Sequence, residues 1–313
     1  LAEGLFGDYL TTNMLVLGVA YQAGLLPLTR AAIEEAIRLN GVAVEQNLQA
    51  FRYGRLWRAD PDRVRALVEP PARSFDTERA AALERFGGRD AGAYVSLLDR
   101  CAHLDPEARR MLALRVGELI DYQDGRYAAA YVAFVLEVAA REEVVAPGRR
   151  EVTHAVIRNL YKLMAYKDEY EVARLHLKPA FRAGTLGLFA APRRVAWHLH
   201  PPFLRALGLR RKLRLGPWFR HPLGALRALR RLRGTPFDPF GYAAVRREER
   251  RLIPWYRDLV AGALADADGH DAALALARLP EWIRGYEDIK LRSIAKVRGQ
   301  ALTSIQSTSR STS

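Results

Sequence analysis

The chain has 313 residues and half of them are apolar, which is enough to bury the cores of two domains. It contains one cysteine, Cys101, so an internal disulfide and any four-cysteine zinc or iron–sulfur site built by this chain alone are excluded. Its formal net charge of +14 at pH 7 predicts attraction to an anionic partner.

No stretch of 18 apolar residues occurs, because the longest candidate, AAAYVAFVLEVAA (128–140), is interrupted by Glu137. The sequence therefore predicts neither a membrane span nor a signal peptide, and we expect a cytoplasmic protein. The first residue, Leu1, already lies in a helical pattern and is not a methionine, so we expect a fragment of a longer protein.

The first 58 residues read as three helices. An apolar helix over residues 8–23 should end at Gly24, and Thr29 should cap a second helix that ends at Asn40 and Gly41. A third helix is predicted from about residue 42 to 56. Asp60 and Pro61 then begin a short helix inside a segment, 59–78, that we predict to be a linker.

Residues 79–298 predict a second, larger helical domain. Its first helices should lie near residues 77–86, 91–103, 106–122 and 125–144. Two short strands are predicted within residues 195–200 and 211–218, followed by helices at about 223–233, 243–266, 270–279 and 280–298. The polar tail, 299–313, is expected to be disordered. The fold class is mainly α, with one small two-stranded β element.

The longest helical pattern, residues 151–177, places a charged residue on its apolar face. Val156, Leu160 and Met164 recur every four residues, and Asp168 takes the next position. A buried carboxylate needs partners, because an unpaired one costs several kcal/mol or takes up a proton. Two hypotheses follow for a polar network formed by Lys167, Asp168, Glu169 and Tyr166. It is either a functional polar site or, as we favour, an ion-paired network that holds two helices in register.

Three runs in this domain carry a family resemblance: YKLMAYKDEYEVARL (161–175), LRGTPFDPFGY (232–242) and LPEWIRGYEDIK (279–290). They resemble the C-terminal domain of single-chain indolepyruvate ferredoxin oxidoreductases. Upstream, residues 13–55 resemble the end of the gamma-type domain of 2-oxoacid:ferredoxin oxidoreductases. Together the two resemblances cover about residues 8–298, in the order found in the fused enzymes.

The resemblance implies a fold, an activity and a set of cofactors. Residues 1–58 would be the helical edge of a Rossmann-like gamma-type domain without its sheet. The parent enzymes convert an arylpyruvate and coenzyme A to the arylacetyl-CoA and CO₂ while reducing ferredoxin, with thiamine diphosphate, Mg²⁺ and [4Fe–4S] clusters. This chain has no GxGxxG, Walker, GDG-type or CxxC motif, so we expect no catalytic residue and no cofactor bound here. The resemblance places Asn13 near the catalytic half of the enzyme. Asn13 would either contact a cofactor there or, as we favour, cap a helix or form a hydrogen bond in the core.

Most of the excess positive charge lies in one window. Residues 172–237 contain 15 basic residues and no carboxylate. Three hypotheses rank in this order: a surface against other domains of the parent enzyme, a dock for ferredoxin or coenzyme A phosphates, and a nucleic-acid surface. The anionic-partner surface would be formed by Arg193, Arg194, Arg210, Arg211, Lys212 and Arg214.

Two further pairs of residues are weak candidates. His198 and His200 would share a face of a strand, but Arg193 and Arg194 nearby would repel a cation, so we predict no metal site there. Cys101 and His103 point apart on a helix, which predicts that Cys101 is a buried small hydrophobe.

We therefore expect the C-terminal part of an indolepyruvate ferredoxin oxidoreductase, inactive alone, with a structural, interdomain or docking role. Its partners would be ferredoxin and the remaining domains of that enzyme, which we expect to be a homo-oligomer. We expect the chain to bind neither a membrane nor a nucleic acid. The alternative is a stand-alone basic module that binds a nucleic acid or an acidic protein.

Overall fold

A computed structural model of the protein describes residues 1–7, 9–68, 73–178, 197–199, 213–266, 269–285 and 287–311. Over these residues the prediction of a mainly α fold is confirmed: they form fifteen α-helices and one pair of short strands. The chain divides into two compact units, Leu1–Ser74 and Phe75–Ser313. The boundary falls inside the segment predicted to be a linker.

The helices of the first unit are α1 (Ala2–Phe6), α2 (Thr12–Gln22), α3 (Arg30–Asn40), α4 (Val44–Ala59) and α5 (Pro61–Val68). Those of the second unit are α6 (Phe75–Arg85), α7 (Gly88–Asp99), α8 (Pro106–Tyr122), α9 (Gly125–Val145), α10 (Glu151–Met164), α11 (Glu169–Leu177), α12 (Arg220–Ala228), α13 (Ala244–Ala263), α14 (His270–Arg278) and α15 (Glu287–Ser311). Short 3₁₀ turns at Pro217–Phe219, Leu229–Leu232 and Leu279–Trp282 precede or follow these helices.

The first unit is built on a close crossing of α2 and α4. At the crossing a Cβ added to Gly18 would lie 2.1 Å from the carbonyl oxygen of Phe51, and one added to Gly54 would lie 1.9 Å from that of Leu15. Only glycine fits at such distances, because the two backbones are in direct contact. A small apolar core of Ile33, Ile37, Leu48 and Phe51 lies beside the crossing.

The predicted caps of the first unit lie where the sequence indicates. The Ala32 amide donates to Thr29 Oγ1 at 3.2 Å, and Gly24 and Gly41 have positive φ angles of 76° and 70°. The Arg63 amide donates to Asp60 Oδ1 at 3.0 Å at the start of α5. Helix α5 therefore occupies part of the predicted linker, and the placement of this unit at the edge of a Rossmann-like domain stays a prediction.

The second unit packs α8, α9 and α10 around one apolar core, which α13 and α14 complete. Several fully buried tyrosines use their hydroxyls to bind helix carbonyls: Tyr94 donates to Ala113 O at 2.9 Å, Tyr131 to Ile157 O at 2.7 Å and Tyr256 to Ala277 O at 2.9 Å. The large rings thus fill the core without leaving a buried hydroxyl unsatisfied.

The single helix predicted over residues 151–177 is wrong, because the chain breaks between α10 and α11. Asp168 has an extended backbone and accepts the Glu171 amide at 2.8 Å, so it is the N-cap of α11. An N-cap aspartate satisfies a helix donor that has no partner within the helix. Asp168 followed by Glu171 is the spacing of a capping box, a signal that the apolar periodicity concealed.

The two predicted strands pair. Trp197–Leu199 and Leu213–Leu215 form an antiparallel pair with Trp197 opposite Leu215 and His198 opposite Arg214. The predicted basic helix over 223–233 is split into α12 and the 3₁₀ turn Leu229–Leu232.

The C-terminal helix differs from the prediction at both ends. It begins at Glu287 rather than at residue 280, and it continues to Ser311 through the segment expected to be disordered. Adding residues to a formed helix costs far less than starting one, so a polar sequence can continue it. In this extension Thr303 donates its hydroxyl to the Gly299 carbonyl at 3.1 Å. Within the described part of the chain, no helix has the length and apolar character that crossing a bilayer requires.

A buried ion-pair network as the candidate functional site

The ion pair between Asp168 and Arg233 is the most buried in the network. The two side chains are 3% exposed, and Arg233 Nε lies 2.5 Å from Asp168 Oδ2 while Nη2 lies 2.8 Å from Oδ1. The α11 cap positions the carboxylate, and the end of the 3₁₀ turn Leu229–Leu232 positions the guanidinium. Because this contact is bidentate, both carboxylate oxygens are satisfied.

Tyrosines enclose the Arg233 guanidinium. Its carbon lies 3.5 Å from the ring centroid of Tyr122 and 5.5 Å from that of Tyr170, and Nη1 donates to the Tyr122 carbonyl at 2.5 Å. The hydrogen bond to Asp168 raises the pKa of Arg233 although burial opposes the charge. Burial also raises the pKa of Tyr166 to about 12, and the negative charge of Asp168 adds to this rise. The pair is thus a charged group within an aromatic shell.

A second buried carboxylate, Asp238, joins the segment after Arg233 to α11. Tyr170 donates its hydroxyl to Asp238 Oδ1 at 3.2 Å, and the Gly234 amide donates to Oδ2 at 3.0 Å. Arg250 on α13 approaches the same carboxylate at 3.8 Å. Asp238 therefore fixes the turn-rich segment 234–242 against two helices.

A third group connects α8 to α11 through Arg174, which is 5% exposed. Arg174 binds Glu171 at 2.7 Å and Glu118 at 2.8 Å, and Lys178 lies 3.0 Å from Glu118. Burial raises the pKa of Glu118, but the charges of Arg174 and Lys178 outweigh it and hold the pKa below its usual value. These contacts align α11 along α8.

The remaining contacts reach α13 and α15. Arg246 bridges Glu169 at 3.5 Å and Glu249 at 2.7 Å, and Glu249 is also paired with Lys290. Lys162, on α10, donates to the Pro280 carbonyl at 2.6 Å. The ion pairs therefore connect α11, α13 and α15, and the Lys162 hydrogen bond joins α10 to the 3₁₀ turn Leu279–Trp282.

The structure brings together only part of the residues predicted for the network. Asp168, Glu169 and Tyr166 belong to it, whereas Lys167 is exposed and has no ion pair within the described residues. Sequence reasoning missed Arg233 and Asp238, which the apolar pattern around residue 168 could not identify because they lie 65 and 70 positions further along the chain.

The other predicted residues lie apart from the network. Asn13 is exposed on α2, and Arg214 is exposed on the second strand. Cys101 is buried, as predicted, and burial raises its thiol pKa to about 11. Six predicted residues lie outside those that the structure describes: Arg193, Arg194, His200, Arg210, Arg211 and Lys212.

A cluster that the sequence did not indicate holds the start of α10. Glu142 is fully buried on α9 and accepts four hydrogen bonds: from the Val152 and Thr153 amides at 2.8 Å each, from Thr153 Oγ1 at 2.5 Å, and from His270 Nε2 at 2.9 Å. Glu142, Glu151 and His270 are close enough to hold a cation. Because both Glu142 oxygens already serve the helix terminus, the cluster acts as a cap for α10.

Chemically, the network is a set of closed ion pairs. Both oxygens of Asp168 and of Asp238 accept hydrogen bonds from protein groups, so neither carboxylate is placed to take a proton from a substrate. Its geometry suits holding segments of the chain in register.

Comparison with known proteins gives one match. A protein-family model described as Family of unknown function (DUF6537) matches residues 108–302, which include the whole network. Neither the curated proteins nor the solved structures contain a match to the chain.

Proposed function

The chain belongs to the Family of unknown function (DUF6537), whose description names no activity, and we propose that it is the C-terminal part of an indolepyruvate ferredoxin oxidoreductase. In that enzyme this part has a structural and interdomain role. Oxidative decarboxylation of an arylpyruvate to the aryl-acetyl-CoA would take place on other domains, which carry thiamine diphosphate, Mg²⁺ and [4Fe–4S] clusters. A cytoplasmic location is part of the same proposal.

One observation supports the structural role: the three runs that carry the resemblance meet in the network. Run 161–175 contributes Asp168 and Tyr170, and run 232–242 contributes their partners Arg233 and Asp238. Run 279–290 adds the Pro280 carbonyl, bound by Lys162, and Lys290, paired with Glu249. These polar residues of the motifs are therefore engaged within one network, as expected of motifs that maintain a fold.

The proposal is tested by tagging the C-terminus of the chain in its native host and purifying whatever carries the tag. We expect the purified material to contain thiamine diphosphate and iron–sulfur clusters, and to reduce ferredoxin only with indolepyruvate and coenzyme A present. Tagged material that lacks thiamine diphosphate and does not reduce ferredoxin would overturn the proposal. This design works whether the catalytic domains lie on the same chain or on another one.

The isolated 313-residue chain is the matched control. Because the cofactor motifs are absent from its sequence, we expect no turnover of indolepyruvate by the isolated chain, even with coenzyme A, thiamine diphosphate and ferredoxin added. Turnover above the rate without enzyme would contradict the assignment of the chemistry to other domains.

A further inference from the structure

A cleft in the second unit has a basic lining. Of its lining residues, only Arg231 lies next in sequence to one of the resemblance motifs, the run 232–242. The cleft has a volume of about 390 Å³, within the usual range for small-molecule sites. Its wall is formed by the first turns of α7 and α9 and by the 3₁₀ turn Leu229–Leu232. Three of its lining residues are arginines: Arg89, Arg126 and Arg231.

These three arginines are available to a ligand. Each side chain is exposed, and none forms an ion pair with a carboxylate among the residues that the structure describes. Two aspartates also line the cleft: Asp90, and Asp124, which is the N-cap of α9 and accepts the Tyr127 amide at 2.9 Å. Three guanidinium groups against two carboxylates leave the lining with an excess of positive charge, which suits an anion.

The backbone brings the walls of the cleft together. Gly125 allows the start of α9 to approach α7, since an added Cβ would lie 3.0 Å from Ala93 Cβ. Arg89 on α7 and Arg126 on α9 therefore line the same cleft.

We propose that the cleft lined by Arg89, Arg126 and Arg231 binds the phosphate group of a small phosphorylated molecule. A phosphate carries enough oxygens to engage several guanidinium groups at once, whereas a single carboxylate is satisfied by one arginine. A shallow groove along α7, formed by Ala91, Gly92 and Val95, joins the cleft at Ser96 and offers room for the organic part of the molecule. This proposal does not depend on the proposed function.

The test is calorimetric titration of the whole chain with inorganic diphosphate, ADP and adenosine. We expect diphosphate and ADP to bind, with affinity that falls as salt rises from about 0.05 to 0.15 M because the contacts are ionic. Adenosine, which lacks phosphate, should not bind. No binding of diphosphate and ADP, or equal binding of adenosine and ADP, would overturn the proposal.

Variants assign the binding to this cleft. Each of Arg126→Ala and Arg231→Ala should weaken ADP binding by about tenfold or more, because each removes a charge-assisted hydrogen bond. Arg292→Ala removes one exposed arginine from α15 and should leave the affinity unchanged. All three proteins are compared by circular dichroism to establish that they fold. Equal weakening in the Arg292 variant would show attraction to net charge alone and overturn the assignment.

Discussion

The carboxylate of Asp168 has two structural roles. It caps α11 through the Glu171 amide, and it forms a bidentate pair with Arg233 in a site almost closed to water. Removing one member of a buried ion pair leaves the other charge without compensation, which is the costly case for such pairs.

Replacing Asp168 with alanine should therefore lower the free energy of unfolding by about 3–5 kcal/mol. Asp168→Asn, which keeps a good capping side chain, should lose less. Asp258→Ala removes an exposed aspartate from the same unit and should change stability by no more than about 0.5 kcal/mol. The denaturant midpoints of the three variants and the wild type, compared at equal slope, measure these changes in the free energy of unfolding. A loss below about 1 kcal/mol for Asp168→Ala would contradict the buried-pair interpretation.

For single residues, the sequence predicted that the Asp168 carboxylate would need a positively charged partner, but it did not identify Arg233 as that partner. The apolar stripe around residue 168 indicated that its carboxylate would be buried and would require a positive charge. The partner could not be identified, because fifteen basic residues follow within the carboxylate-free window and periodicity does not distinguish among them. Arg174 and Arg233 are internal, so two of the fifteen positive charges in the window are already neutralised by buried carboxylates.

Among the helices, the crossing of α2 and α4 depends on two glycines with no space for a side chain. Gly54→Ala would place a methyl group 1.9 Å from the Leu15 carbonyl oxygen, so the helices would have to separate. We expect this change to destabilise the first unit by at least about 1–3 kcal/mol, as overpacking does.

Gly262→Ala on α13 is the control, because an added Cβ there meets nothing within 4 Å. It should stabilise its helix by up to about 1 kcal/mol, the ordinary gain of alanine over glycine. Amide hydrogen exchange in each unit separates the two effects. Unchanged protection of α2 and α4 in the Gly54 variant would contradict the close crossing.

The contact between α8 and α11 predicts a dependence on pH. The pKa of Glu118 is lower in the folded chain than its unfolded value of about 4.3, because Arg174 and Lys178 favour the carboxylate. This stabilisation is present above the unfolded pKa and is lost as the pH falls through the folded pKa. Glu118→Gln should therefore be less stable than the wild type at pH 7, and the difference should shrink below about pH 4.

Unfolding by denaturant at pH 7, 5 and 3 measures this difference. Glu84→Gln, an exposed position on α6, corrects for the loss of one negative charge. A stability difference between wild type and Glu118→Gln that stays constant over the three values would show that the ion pairs do not favour the carboxylate.

Helix existence was predictable from the sequence, while some boundaries were not. Caps at Thr29 and Asp60 identified helix starts, and Asp60 does accept the Arg63 amide at 3.0 Å. The break between α10 and α11 was missed because both helices use the same apolar spacing. The end of α15 was missed because composition alone does not show where a helix already formed will continue.

For the whole molecule, the basic window gives three hypotheses with different binding behaviour. We expect the isolated chain to bind ferredoxin and coenzyme A weakly or not at all through the anionic-partner surface formed by Arg193, Arg194, Arg210, Arg211, Lys212 and Arg214, and to bind a random oligonucleotide nonspecifically. The logarithm of oligonucleotide affinity should fall steeply with the logarithm of salt, since phosphate contacts release counterions. A direct dock for ferredoxin would show saturable binding instead.

Titration at two salt concentrations distinguishes these outcomes. A combined Arg210→Ala, Arg211→Ala and Lys212→Ala variant should weaken the oligonucleotide signal, whereas Arg292→Ala, on α15, should not. Tight, sequence-selective oligonucleotide binding at about 0.15 M salt would favour the nucleic-acid hypothesis over the role in an oxidoreductase.

The pairing of Asp168 with Arg233 also sets an order of events during protein synthesis. The two residues are 65 positions apart, so at roughly 5–20 residues per second the ribosome adds the arginine on the order of 3–13 s after the aspartate. Helices α8, α9 and α10 precede both and can assemble during this interval. The bidentate pair can form only after Arg233 has been added, whereas α12 precedes Arg233 in the chain and is synthesised before the pair closes.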